Sequence, residues 1–289
     1  MKIQGSKGSA ETGQAQNETM SAIGEILKES RKVVVKIGSN VLSDENGFVD
    51  KDNVQNIVEQ VLKLIEDGKQ VVIVSSGAGA SGMATIHKWA RRKDINYRQA
   101  LCAIGQVELM MEYKEGFGKK GIHVGQILLT KDDLADPDRS LRIRNTIYTL
   151  VDENVVPIIN ENDSVAVDEI KIGDNDSLSA QVVTLWDADV LVFLSNLEGI
   201  YDKDPGKFDD AKMIEEVRDI DCLLDNIEVK GTSSFGTGGI ATKIEAARRV
   251  NEYSIPAILL HGKKKDILLK AMAGEEKGTI FYGKEIAFK

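Results

Sequence analysis

The chain has 289 residues, of which 42% are hydrophobic and 29% charged, with a formal net charge of -9. That length suits one large α/β domain or two small ones, and the acidic balance argues against a broad phosphate-binding surface for nucleic acid. No apolar run approaches the roughly 20 residues a membrane span needs, and the two cysteines, Cys102 and Cys222, fall outside any CxxC spacing, so neither a disulfide framework nor a thiolate zinc site is expected and the setting reads as reducing and cytoplasmic.

Residues 1–31 read as an N-terminal extension. The first 20 are small and polar and are expected to be disordered, and no apolar core flanked by basic residues marks a secretory leader. Lys32-Val33-Val34-Val35-Lys36-Ile37-Gly38 then reads as a buried strand. Val54, Ile57, Val58, Val61, Leu62 and Ile65 keep the i, i+3, i+4, i+7 spacing of a helix that Gly68 ends. Residues 71–75 form the next apolar run, and 125–129, 155–159, 190–194 and 257–260 repeat the pattern. Helical periodicity covers 98–113, 139–153, 177–186, 241–251 and 265–272. A polar dip at 202–210 reads as a loop or a small subdomain join. Strands apolar throughout, alternating with helices, predict a three-layer α/β/α sandwich around a mostly parallel sheet.

The run at 155–159 ends in Asn160-Glu161-Asn162-Asp163, and Gly173-Asp174-Asn175-Asp176 follows ten residues on. In open α/β sheets ligands bind beyond the carboxyl ends of the strands, so these groups are placed for recognition; the alternative is a solvated turn, which also favours Asn, Asp and Gly. Three glycine-rich turns bear on the choice. Gly77, Gly79 and Gly82 satisfy GxGxxG after a strand, but the acidic residue that a dinucleotide site requires about 20 residues on is missing from the basic stretch 88–94. Lys36 precedes a Gly38-Ser39 turn, and Gly236-Thr237-Gly238-Gly239-Ile240-Ala241-Thr242-Lys243 opens a helical pattern with a lysine in its first turn. Both are anion cradles by composition. No GxxxxGK[ST] occurs, so the P-loop class is excluded. Two separated lysines facing carboxylates suggest phosphoryl transfer, whose catalysis is mostly positioning and charge neutralisation.

From residue 32 to about 282 these segments, together with His123 to Thr130 and Glu169 to Ala180, resemble the amino acid kinase family, and within it the glutamate 5-kinase branch. The resemblance implies transfer of phosphate from ATP to L-glutamate with Mg²⁺, the first step towards proline, carried by a domain spanning 32–289 with no C-terminal PUA domain. Position by position it implies Lys36 and Lys243 as stabilisers of the transferring group and Asp176 as their orienter. It implies Ser76, Asp163 and Asn175 as holders of glutamate, with Asp174 and Asn160 lining the site. Lys36, Gly38, Ser195, Asn196 and the run Thr237, Gly238, Gly239, Ile240, Ala241, Thr242, Lys243 would hold the nucleotide; no side-chain metal ligand is implied. Proline as feedback inhibitor and a homo-oligomer are further expectations. One departure is Ser195-Asn196 where the family usually shows Thr-Asp. The alternatives are an acetylglutamate, aspartate or carbamate kinase of the same family, a dinucleotide-binding oxidoreductase using 77–82, or an amino-acid sensor without activity.

Overall fold

The computed structural model describes residues 21–87, 94–166, 175–226 and 239–283. The first described element lies inside the stretch read as an extension. Helix α1 (Ala22–Glu29) is capped by Ser21 and buries Ile23 and Leu27 in the core, so the packed body begins before residue 32. Residues 1–20 lie outside the described residues.

Strand β1 (Lys32–Ile37) is buried from Val33 onward and leads through the single turn α2 (Ser39–Leu42) to α3 (Lys51–Glu66), whose end is set by Gly68 at φ 82°. Then come β2 (Gln70–Ser75), α4 (Ala78–Ile86), α5 (Ile95–Gly118), β3 (His123–Leu129), α6 (Lys131–Ala135), α7 (Pro137–Asp152) and β4 (Val155–Glu161). The second half runs α8 (Asn175–Trp186), β5 (Val190–Ser195), the hairpin β6 (Ile200–Tyr201) and β7 (Met213–Ile214), β8 (Glu216–Val217), α9 (Ile220–Asn226), α10 (Ile240–Asn251), β9 (Ala257–His261), α11 (Ile267–Ala273) and β10 (Thr279–Phe281). The polar dip at 202–210 is the loop of the β6–β7 hairpin.

Eight strands form one sheet in the order β3-β4-β2-β1-β5-β9-β10-β8. Every pairing is parallel except β10 against β9, which makes it the expected mostly parallel sheet. Alternation along β1 divides the core in two. Val33, Val35 and Ile37 join the layer under α1, α3, α5 and α11, and Val34 joins the layer under α7, α8 and α10. Lys36 shares Val34's parity, so its side chain leaves the sheet on the face that carries α8 and α10. From β1 the chain passes to β2 on one side, while β5 pairs on the other. This is a switch point, where an α/β sheet opens a crevice at its carboxyl edge.

Two of the GxGxxG glycines, Gly77 and Gly82, meet backbone requirements of this fold. Gly77 has φ 96°, a left-handed conformation that opens α4. A Cβ on Gly82 would stand 1.9 Å from Leu101 O, and one on Gly105 would stand 1.9 Å from Ala78 O. The two glycines let α4 and α5 cross with their backbones in contact, which a side chain at either position would block. No helix among the described residues is long and apolar enough to cross a membrane.

Candidate active site

A cavity of about 320 Å³ opens beyond the carboxyl ends of β1, β2, β4 and β5. Its charged part is assembled from three elements. Lys36 comes from β1, Asp176 from the first turn of α8, where the positive end of the helix favours a carboxylate, and Lys243 from the first turn of α10. Lys36 Nζ lies 2.5 Å from Asp176 Oδ1. Lys243 Nζ lies 3.1 Å from Asp176 Oδ2, and the Thr242 hydroxyl donates to the same oxygen at 2.7 Å. The three charged residues are 5%, 1% and 3% exposed. Burial by itself would raise the Asp176 carboxyl, but the fields of Lys36 and Lys243 and their hydrogen bonds, with that of Thr242, outweigh it and hold the group below the usual carboxylate range.

A neutral array borders this cluster, and backbone groups fix its polarity. Glu161 N can only donate, so the Asn160 atom 2.8 Å away is its oxygen. Asn160 Nδ2 therefore points the other way and donates to Gln106 Oε1 at 2.7 Å. Ser75 O can only accept, so the Asn175 atom 3.0 Å from it is nitrogen. That nitrogen also faces Ser76 Oγ at 3.0 Å and Asn160 Oδ1 at 2.9 Å. Two consequences follow. Asn175 Oδ1 is left buried with no hydrogen-bond partner, a free acceptor suited to an N–H donor. Ser76, already accepting from Asn175, keeps its own proton to donate to a carboxylate. Underneath, the Ser75 hydroxyl is tied to Tyr113 OH at 3.0 Å, and burial pushes the phenol's pKa up.

The sequence-derived residues separate accordingly. Lys36, Gly38, Ser76, Asn160, Asp163, Asn175, Ser195, Asn196 and Lys243 all line the cavity, and Asp176 sits behind Lys36 and Lys243. Gly239 caps α10, with Ile240 and Ala241 beginning the helix; of the described residues in this stretch Lys243 alone is in the cavity wall. Asp174, Thr237 and Gly238 lie outside the described residues. Ser195 is buried and its hydroxyl accepts from Leu197 N and faces Asn196 Oδ1, both at 3.4 Å, whereas Asn196 is exposed. The cavity adds Arg98 and Cys102 from α5 and Met83 from α4, which carried no signal in the sequence. Burial and the neighbouring Asp163 push the Cys102 thiol up to about 12, which keeps it protonated and a poor nucleophile at neutral pH.

The model of the amino acid kinase family matches residues 31–261. The chain belongs to the amino acid kinase family. It is similar to the glutamate 5-kinase of Alkaliphilus oremlandii strain OhILAs, 55% identical over 89% of this chain and 98% of that one. The same identity holds with the glutamate 5-kinase of Alkaliphilus metalliredigens strain QYMF, over 90% and 98%. The glutamate 5-kinase of Geobacter metallireducens is 46% identical over 89% of this chain and 69% of its own. Among solved structures, UMP kinase from Ureaplasma parvum superposes with a TM-score of 0.60 at 17% identity over 87% of this chain and 98% of that one. UMP kinase from Bacillus anthracis gives 0.58 at 18% over 88% and 96%. At such identities the two structures establish the fold alone.

Proposed function

We propose that this kinase transfers the γ-phosphoryl group of ATP to the γ-carboxylate of L-glutamate, giving ADP and L-glutamyl 5-phosphate, the first step of proline biosynthesis. The observation that carries the reading is the meeting, in one cavity, of the Lys36–Asp176–Lys243 cluster with the Ser76–Asn160–Asn175 array. Relatives that bear the name glutamate 5-kinase at 55% identity over nearly their whole length support it.

The nucleophile is already ionised. A γ-carboxylate oxygen forms the new O–P bond as the bond from phosphorus to the β,γ-bridging oxygen breaks, and ADP leaves with that electron pair. No proton has to move, so no general base is required. What remains is to neutralise charge along the transfer line, where preorganised cations act most strongly out of water. Lys36 and Lys243 supply that charge, and Asp176 keeps both aimed. Gly38, the Ser195-Asn196 pair and the turn into α10 would carry the nucleotide. Asp163 and the free Asn175 Oδ1 would receive the glutamate ammonium, with Asn160 holding Asn175 in place.

No three His, Cys, Asp or Glu side chains converge as a metal cage among the described residues, and both Asp176 oxygens face lysines. A magnesium ion fits as one carried by the ATP phosphates and its own waters, where it would screen the β- and γ-phosphoryl charge. Free proline, which shares glutamate's ammonium and α-carboxylate, would compete for the same groups. A cytoplasmic homo-oligomer completes the reading.

ADP release, measured with L-glutamate, N-acetylglutamate, aspartate and carbamate in parallel, tests the assignment. Turnover with L-glutamate at least tenfold above the others is expected; preference for any of the others overturns it. Millimolar proline at sub-saturating glutamate should slow the rate, and an unchanged rate removes proline from the scheme.

A further inference from the structure

The phosphoryl cluster and the amide array leave one charged group of the cavity without a task. Arg98 lies in the first turn of α5, an element that contributes nothing to the Lys36–Asp176–Lys243 cluster. Arg98, Leu101 and Cys102 follow the i, i+3, i+4 spacing of one helix face, and all three line the cavity. Arg98 is half-buried, and its guanidinium has no hydrogen bond or ion pair to any described residue. Of the cations in the cavity wall among the described residues, Lys36 and Lys243 are engaged by Asp176 and Arg98 is the third.

We infer that Arg98 is a specificity-determining residue that binds the α-carboxylate of the amino-acid substrate. This rests on the reading of the substrate as L-glutamate. The chemistry follows from counting charges. Glutamate brings two carboxylates and one ammonium. The γ-carboxylate must lie at the lysines, where the phosphoryl group passes. The ammonium suits Asp163, Glu161 and the free oxygen of Asn175. Those same acidic groups repel the α-carboxylate, which needs a cation on the amino-acid side of the cavity. Arg98 supplies it, and its planar fork matches a carboxylate with two parallel hydrogen bonds. The Cys102 thiol, one turn along α5, feels both Asp163 and Arg98. An anion receptor and a cation receptor thus flank the same stretch of wall, the arrangement that an α-amino acid demands.

The test compares L-glutamate with its α-amide, which keeps the ammonium and the γ-carboxylate but loses the α-charge. The quantity read is the ratio of kcat/KM for the two compounds. A hydrogen bond to a charged group contributes about 1.5–3 kcal/mol, or about 10- to 150-fold. Arg98→Gln should therefore lower that ratio by at least about tenfold, with KM for ATP and the melting temperature unchanged. Arg98→Lys should restore much of it. A ratio unchanged in Arg98→Gln, whatever happens to the absolute rate, overturns the inference and leaves the glutamate reading standing. If the wild-type enzyme turns over neither compound but binds L-glutamate calorimetrically, the substrate reading fails instead, and loss of that binding in Arg98→Gln still decides the role of the arginine.

Discussion

Lys36, Asp176 and Lys243 bring three formal charges inside the protein at 5%, 1% and 3% exposure, whereas Asn160 in the adjoining cavity wall and Gln106 behind it reach 2% and 8% with none. The charged cluster is incomplete by design: two lysines face one carboxylate, a surplus of one positive charge that an incoming phosphoryl group would match. Burying unpaired charge costs several kcal/mol per ion, so each member is tied to the others. The neutral array carries no such debt. Asn175 donates to Asn160 and Asn160 to Gln106, which leaves the acceptor Asn175 Oδ1 and the donor Gln106 Nε2 unpartnered at the two ends, an arrangement that suits recognition by shape and hydrogen bonding. In the proposed reaction phosphoryl transfer would draw on the first kind of construction, and the second would position the groups that, with Asp163 and Arg98, select the amino acid.

The sharpest way to break this contrast is to remove the carboxylate between the lysines. Asp176→Asn leaves two buried cations facing a neutral group. Removing one partner of a buried pair costs about 3–5 kcal/mol, which for a chain of this size lowers Tm by about 6–20 °C. The pH dependence has a definite sign. The folded-state carboxyl lies below its usual value, so its contribution is complete above the unfolded pKa near ~4 and is lost as pH falls through the lower folded value. Thermal melts from neutral pH down to about pH 3 should show the wild type losing its advantage at the acid end while Asp176→Asn changes less. Parallel curves for the two proteins would remove Asp176 from the stability account.

Removing a lysine should do the opposite. Lys36→Met or Lys243→Met leaves one lysine against one carboxylate, a balanced pair, so the fold should hold. The rate should not: losing a preorganised electrostatic stabiliser costs about 10²–10³ in kcat. Purified variants with native melting curves and near-normal turnover would show that the cluster is structural.

On the amino-acid side of the cavity the effects move from kcat to KM. Asp163→Ala should raise KM for glutamate by about 10- to 150-fold, the worth of a hydrogen bond to a charged group, while KM for ATP shifts by less than about threefold. Equal losses for both substrates would make the segment after β4 a structural loop rather than a recognition element.

The sequence revealed these two regions unequally, for physical reasons. The central strands were plain because each is built on an apolar run, and the parity of Lys36 along β1 is already in the pattern Val33 to Ile37. Lys36 and Lys243 stood out as cations beside glycine-rich turns, and the resemblance to the amino acid kinase family joined Asp176 to them. Other elements left little trace. Strands β8 and β10, two and three residues long, are too short to show a period. Helix α4 is Ala-Gly-Ala-Ser-Gly-Met-Ala-Thr-Ile, which propensity disfavours; backbone contact with α5 through Gly82 and Gly105 overrides it. Arg98 and Gln106 lie in an ordinary helical pattern, and only the fold shows that one reaches the cavity and the other grips Asn160.

Gln106 carries the smallest expected effect, and it separates orientation from contact most finely. It is absent from the wall of the main cavity, and it acts on Asn160 through the 2.7 Å bond to Asn160 Nδ2. Without that acceptor Asn160 would still receive Glu161 N, so its oxygen would stay in place, but nothing would hold the other end of the amide. Gln106→Leu keeps the bulk and removes the acceptor. A neutral hydrogen bond contributes about 0.5–1.5 kcal/mol, which predicts a rise in KM for glutamate of about 2- to 12-fold with kcat and KM for ATP unchanged. Gln106→Glu keeps an acceptor at the same place and should lie closer to wild type in KM. A packing role would affect the pair in the reverse order, because leucine fills the site and glutamate buries a charge. The order of the two variants therefore decides between orientation and packing even where neither effect is large.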